Sequence, residues 1–138
     1  MLPFFAFAVA AVPNIAAPCP GTSTPEVDAC LNARLAECDA ILNLYYRAAL
    51  KRAGDGELAP KLIQAERSWI AYRDAECGSV FDFWKGGTIR TSMEIDCRIR
   101  LTGLHTYVIW RDWLTYPDST PSLLPRPDIG DVVSDRRH

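Results

Sequence analysis

Cysteine, histidine and carboxylate side chains carry most of the chemistry open to this chain of 138 residues. The five cysteines are Cys19, Cys30, Cys38, Cys77 and Cys97, and the two histidines are His105 and the terminal His138. No C-x2-C pair exists, and two histidines so far apart do not complete a zinc set, so no metal is expected. Cys38 and His105 could be drawn as a thiol–imidazole dyad, but no third group orients the base. Asp74 and Glu76 lie two residues apart on a helical stretch and do not face each other as an acid–base pair. The chain has neither a Gly-rich phosphate loop nor a G-x-S-x-G turn. Disulfide formation is the chemistry that remains, and neither an enzymatic activity nor a cofactor is expected.

Disulfides belong to oxidising compartments, so the cysteines point to export. The amino-terminal stretch points the same way. Phe4-Phe5-Ala6-Phe7-Ala8-Val9-Ala10-Ala11-Val12 is a short apolar run, followed by small residues and proline as far as Pro18. It is too short to span a bilayer comfortably and fits a secretory signal segment over residues 1–17, with Ala10, Ala11 and Ala17 as competing cleavage positions. No Lys or Arg precedes it, so either the positive region is minimal or the start lies upstream. Pro18 directly before Cys19 argues against lipoprotein processing. The expected location is secreted or periplasmic, with no stable membrane insertion after cleavage. A net charge of -2 lacks the basic footprint of a nucleic-acid-binding domain.

The elements that must position the cysteines read as three helices. Thr24 as N-cap, Pro25 at the first helical position and Glu26 open the first. Val27, Leu31, Leu35, Cys38, Leu42, Tyr45, Tyr46 and Ala49 recur along it at helical spacing, and Gly54-Asp55-Gly56 stops it. The second begins near Ala59-Pro60. Leu62, Ala65, Trp69, Tyr72/Arg73, Glu76/Cys77 and Val80 mark its stripe, and Gly86-Gly87 ends it. The third opens on a capping box, Thr91-Ser92-Met93-Glu94. Ile95, Ile99, Thr102, Thr106, Ile109 and Trp113 form one apolar row, beside a second of Cys97, Leu101, Leu104 and Val108. The fold class expected is all-α, a small antiparallel three-helix bundle over residues 18–116. Pro117, Pro121, Pro125 and Pro127 make residues 117–138 a disordered or extended tail.

A hairpin turning at Gly86-Gly87 brings Cys77, late in the second helix, to Cys97, early in the third, so this bridge is natural. It would add about 3 kcal/mol on the chain-entropy account. Cys19 can fold back from the leader to Cys30, which makes the second bridge. Cys38 is then left over, a small buried hydrophobe on the apolar stripe rather than a reactive thiol.

One run is more specific than its periodicity. The order is Cys19, Cys30, then Asp39-x-x-Leu42-Asn43-x-x-Tyr46, then Gln64-Ala65-x-x-Ser68-Trp69-Ile70-x-Tyr72-Arg73-Asp74-x-x-Cys77, then Cys97. From Cys19 to Val108 the chain resembles the LprI-type lysozyme inhibitors of bacteria. It departs at Cys38, where that family usually has a small residue, and at Thr102-Gly103-Leu104-His105, where the family tends to show Thr-x-x-Arg. The resemblance implies an exported, disulfide-bonded helical domain that binds a lysozyme and blocks its cleft. A periplasmic binding or envelope-scaffolding module with another partner, tethered by its tail, is the alternative.

The motif residues divide into structural and partner-facing sets. Trp69 is expected to fill the bundle, with Tyr46 and Tyr72 packed inward and their hydroxyls toward the rim. Asp39 or Asn43 would clamp Arg73 or Gln64, with Glu76 a further partner for Arg73. The partner-facing set is expected in the turn Trp84-Lys85-Gly86-Gly87-Thr88-Ile89-Arg90-Thr91-Ser92. There Trp84, Lys85, Arg90 and Ser92 would offer an aromatic, two cations and a hydroxyl to the carboxylates of a lysozyme cleft.

Overall fold

The computed structural model describes residues 19–129, so the expected signal segment and the last nine residues lie outside it. Three helices, α1 (Thr24–Ala53), α2 (Leu58–Phe83) and α3 (Arg90–Trp113), run up, down and up. α1 and α3 are therefore parallel. Asp28 meets Ser92 at one end of the pair, and Arg52 meets the carbonyls of Trp113 and Thr115 at the other. α3 packs broadly on α1 and less on α2, while α1 and α2 touch only sparsely. The fold is all-α. No helix among the described residues is long and apolar enough to cross a membrane, and no cluster of metal-ligating side chains occurs among them.

The helix ends follow local chemistry, with two departures from expectation. Ser23, not Thr24, is the N-cap of α1: its backbone is extended, and Thr24 is already helical. The Glu26 carboxylate accepts from the backbone N–H groups of Ser23 and Thr22, which closes the first turn. Gly54 ends α1 at φ 74°, a conformation that favours glycine, and its N–H donates to the Leu50 carbonyl. The capping box expected at Thr91 does not form. α3 starts at Arg90 after Ile89, the Ser92 hydroxyl is taken by Asp28 of α1, and Glu94 pairs with Arg98 one turn along α3. One long-range partner and one i,i+4 ion pair win over the cap.

Two apolar clusters fill the bundle. One joins Leu31, Cys38, Ile95 and Ile99, with Cys19, Val27 and Leu35 against it. The other joins Leu42, Tyr45, Ala49, Leu62, Ile109 and Leu114, with Tyr46, Trp69, Trp110 and Trp113 against it. Buried Thr102 and Thr106 sit on the same face of α3, between Ile99 and Ile109, and the Thr106 hydroxyl donates a hydrogen bond to the Thr102 carbonyl. Val108 departs from the second expected row, being exposed on the outer side of α3.

Cys19 is bonded to Cys30 and Cys77 to Cys97, with Cα atoms 5.8 Å and 5.6 Å apart. The first ties the leader onto α1, and the second staples α2 to α3 near the turn. Beyond α3 the chain has no regular structure, bends at residues 117–119 and 123–124, and returns along the bundle. Leu114 is fully buried, its carbonyl accepts from the Leu123 N–H, and Leu124 packs on the larger apolar cluster.

Candidate functional site

The motif residues gather into one line of polar and aromatic contacts across the bundle. Arg73 Nη1 donates to Asp39 Oδ1 at 2.9 Å and to Thr102 Oγ1 at 2.9 Å, so one guanidinium joins all three helices. It also lies over the Trp69 ring, 5.0 Å from the centroid. Trp69 in turn stacks face to face on the His105 imidazole, with centroids 4.0 Å apart and planes 6° from parallel. His105 Nε2 is hydrogen-bonded to Glu66 Oε2 at 2.7 Å. Tyr46 lies close enough to this carboxylate to feel it: burial first, and the Glu66 charge second, push its phenol pKa above the ordinary value.

Helical geometry explains which residues take part. Leu62, Glu66, Trp69, Arg73 and Cys77 follow one another at three- or four-residue steps, so they share one face of α2. Tyr72 is one residue away from Arg73, about 100° round the helix. It is 53% exposed, which corrects the expectation that it packs inward. Ala65 is likewise exposed and Glu66 buried in its place. Of the alternatives for the clamp, Asp39 and Arg73 form it. Gln64 is exposed and reaches only Ser68 at 3.4 Å, and Asn43 is exposed with its carbonyl accepting from Arg47. Glu76 is exposed, and Asp74 pairs with Arg98.

Glu66, Thr102 and His105 are the members that motif reading missed. The signal available was a carboxylate and a threonine on otherwise apolar faces, each needing a buried partner. His105 stands where the resemblance expected Arg, and its ring fills the space between Trp69 and Glu66.

The turn between α2 and α3 has a different character. Trp84 N–H donates to Val80 O, Lys85 N–H to Asp82 O and Gly87 N–H to Trp84 O, while Gly86 supplies the positive φ of 91°. Phe83 is 80% exposed and meets Trp84 edge to face at 5.5 Å. Trp84 and Ile89 are also exposed, as is Lys85. Three large apolar side chains and one ammonium thus stand outward on a tip stapled just behind by Cys77–Cys97. Arg90 and Ser92 stand differently from Trp84 and Lys85. The Arg90 guanidinium lies 3.6 Å from the Phe81 ring centroid, and the Ser92 hydroxyl donates to Asp28, so both are half-buried against the bundle. Phe83 and Ile89 were not singled out from sequence: Phe83 is the last residue of α2 and Ile89 directly precedes α3, so helical spacing alone does not say that they face outward.

Cys38 and His105, the two groups that could be drawn as a dyad, sit in separate surroundings. Cys38 is buried among Leu31, Ile95 and Ile99, and burial, ahead of the Asp39 and Glu37 charges, pushes its thiol up to about 11. His105 is engaged by Glu66 and Trp69. The two groups have separate partners and make no dyad.

The family model described as lysozyme inhibitor LprI matches residues 17–108. The match takes in both disulfides, all of α1 and α2, the turn between α2 and α3, and most of α3. Neither the curated proteins nor the solved structures contain a significant match to the chain. The clamp of Asp39 and Arg73, the Trp69 stack and the two bridges all lie within the matched residues, and the chain belongs to the LprI lysozyme-inhibitor family.

Proposed function

We propose that this protein is an exported inhibitor that binds a lysozyme and closes its cleft by contact, without chemistry of its own. The α2–α3 tip is the contacting surface. The observation that carries this reading is the outward cluster of Phe83, Trp84 and Ile89 beside Lys85, on a turn held by a disulfide. Large exposed apolar side chains cost a monomer solubility and mark interaction sites when clustered. Aromatic anchors on a rigid support are also the side chains that dominate interface energies. A lysozyme cleft is lined for a sugar chain and carries two catalytic carboxylates. An aromatic tip can lie where sugar rings lie, and the Lys85 ammonium can approach the carboxylates. Family membership supports lysozyme as the partner, and the disulfides support an extracellular or periplasmic location.

The test is lysis of bacterial cell walls by a panel of lysozymes, with and without purified protein. At least one lysozyme type should be inhibited. Phe83→Ala with Trp84→Ala should raise the inhibition constant about 100-fold or more, and Lys85→Glu about 10-fold, while the melting temperature stays within a few degrees. Arg90 is kept, because it stacks on Phe81. Full inhibition by the double variant would remove the tip from the reading. No inhibition of any lysozyme by the unaltered protein would remove lysozyme itself and favour a binding module with another partner.

A further inference from the structure

α2 is the least covered of the three helices. Of its 26 residues only Leu62, Glu66 and Cys77 are buried, and it touches α1 only sparsely. Along one flank Leu58, Lys61, Ala65, Ser68, Tyr72 and Glu76 follow one another at three- or four-residue steps, and all are exposed. This flank faces away from α3. Asp74, which pairs with Arg98 of α3, lies about 160° round the helix from Tyr72. Leu58 is 43% and Tyr72 53% exposed, large apolar surfaces for a helix to leave open. Three- and four-residue spacing is the form in which one helix presents itself to another.

The stripe is complementary to itself. Lys61 and Glu76 lie at equal distances either side of the midpoint between Ser68 and Trp69, and so do Ala65 and Tyr72. A two-fold axis at that midpoint, with a second α2 running antiparallel, sets Lys61 of each copy opposite Glu76 of the other. The same axis sets the Tyr72 ring of each copy over Ala65 of the other, a large side chain opposite a gap. Ser68, at the axis, is small enough to let the two helices approach to about 8–10 Å. Among the described residues neither Lys61 nor Glu76 makes an ion pair within its own chain. A parallel pairing would set Lys61 on Lys61 and Glu76 on Glu76, which charge repulsion opposes.

We propose that the chain associates with a second copy of itself through this α2 stripe, as an antiparallel, two-fold helix pair. The contact runs along one helix of each copy, at the small end of specific interfaces, so the dimer is weak. Its two α2–α3 tips point in opposite directions, about 45 Å apart along the helix axis, and both stay open. The pairing does not depend on the lysozyme reading.

Carbodiimide coupling of the full chain tests the pairing directly, because it joins an ammonium to a carboxylate only where the two meet. Within one α2, Lys61 and Glu76 are about 22 Å apart and cannot be joined. An equal mixture of ordinary and isotope-labelled chains should therefore give a Lys61–Glu76 cross-link that mixes the two isotopes. Sedimentation from low micromolar to millimolar concentration should show a monomer–dimer equilibrium. Lys61→Glu or Glu76→Lys alone should weaken it about 10-fold or more, each change being felt twice across the axis, and the two together should restore it to within about threefold. Tyr72→Ala should weaken it about 10-fold. All three positions are exposed, so melting temperatures should stay within a few degrees. A chain that stays monomeric throughout and gives no mixed-isotope link would overturn the proposal. So would a dimer indifferent to Lys61→Glu, or one that the charge exchange does not restore. A monomer whose inhibition of a lysozyme is lost in Tyr72→Ala would overturn it in favour of α2 as part of the contact with the enzyme.

Discussion

Arg73 is the residue whose removal should be felt furthest. Arg73→Met keeps the aliphatic stem and deletes the charge. The bond to Asp39 is charge-assisted, but Asp39 is 43% exposed against 15% for Arg73, so solvent reduces it to about 1 kcal/mol. The bond to the fully buried Thr102 contributes about 1.5 kcal/mol. The contact with the Trp69 face adds about 0.5 kcal/mol. Arg73→Met should therefore destabilise by about 3 kcal/mol, a fall in melting temperature of roughly 12 °C. Asp39→Ala alone should cost about 1 kcal/mol, since Arg73 keeps Thr102. Urea unfolding of both single variants and the double variant, with disulfides intact, gives the coupling. It should be about 1 kcal/mol. Additivity of the two substitutions to within about 0.3 kcal/mol would refute the clamp as an energetic link between α1 and α2.

Other consequences are quicker to check. Cys38 has a thiol pushed up to about 11 and is buried, so at pH 8 it should ignore an aromatic disulfide reagent in the folded chain and react once per chain in denaturant. Glu26 has its carboxyl held below the ordinary value of 4.5 by the Thr22 backbone N–H and by the hydroxyl and N–H of Ser23. Its contribution is present above the unfolded value and is lost as pH falls through the lower folded value, so Glu26→Gln should flatten the acid limb of stability against pH. Tyr45 has its phenol pushed above its ordinary value of 10 by burial. Here the sign reverses: stability is present below the unfolded value and falls as pH rises through the folded one, and Tyr45→Phe should flatten that alkaline loss in a melting series.

Much of the bundle was legible because its information is local and periodic. Leu31, Cys38, Leu42, Tyr45 and Ala49 keep helical spacing along α1 and are all buried. Gly54 ends the helix where a positive φ is needed. The hairpin turn made Cys77–Cys97 geometrically natural, and the bond forms there. What resisted reading depended on one-residue rotations and on distant partners. Glu66 and Ala65, like Tyr72 and Arg73, are neighbours in sequence, and only tertiary packing decides which one turns inward. The sequence Thr91-Ser92-Met93-Glu94 reads as a local cap until the fold brings Asp28 to Ser92, while Glu94 takes the i,i+4 pair with Arg98. The tail lacks any period, so its seat on Tyr45 and Trp110 could be seen only once α1 and α3 were side by side. At the tip, Arg90 and Ser92 have the right chemistry to meet a partner but face Phe81 and Asp28.

Occlusion of the lysozyme cleft is the central claim, and competition with the cleft's own ligand tests it most directly. Calorimetric titration of the protein into an inhibited lysozyme would be run with the enzyme free and with its cleft filled by a chitin oligosaccharide. Occlusion predicts that the apparent affinity falls in proportion to the oligosaccharide's occupancy, and that both ligands are never bound together. A ternary complex, with unchanged affinity for the filled enzyme, would contradict it.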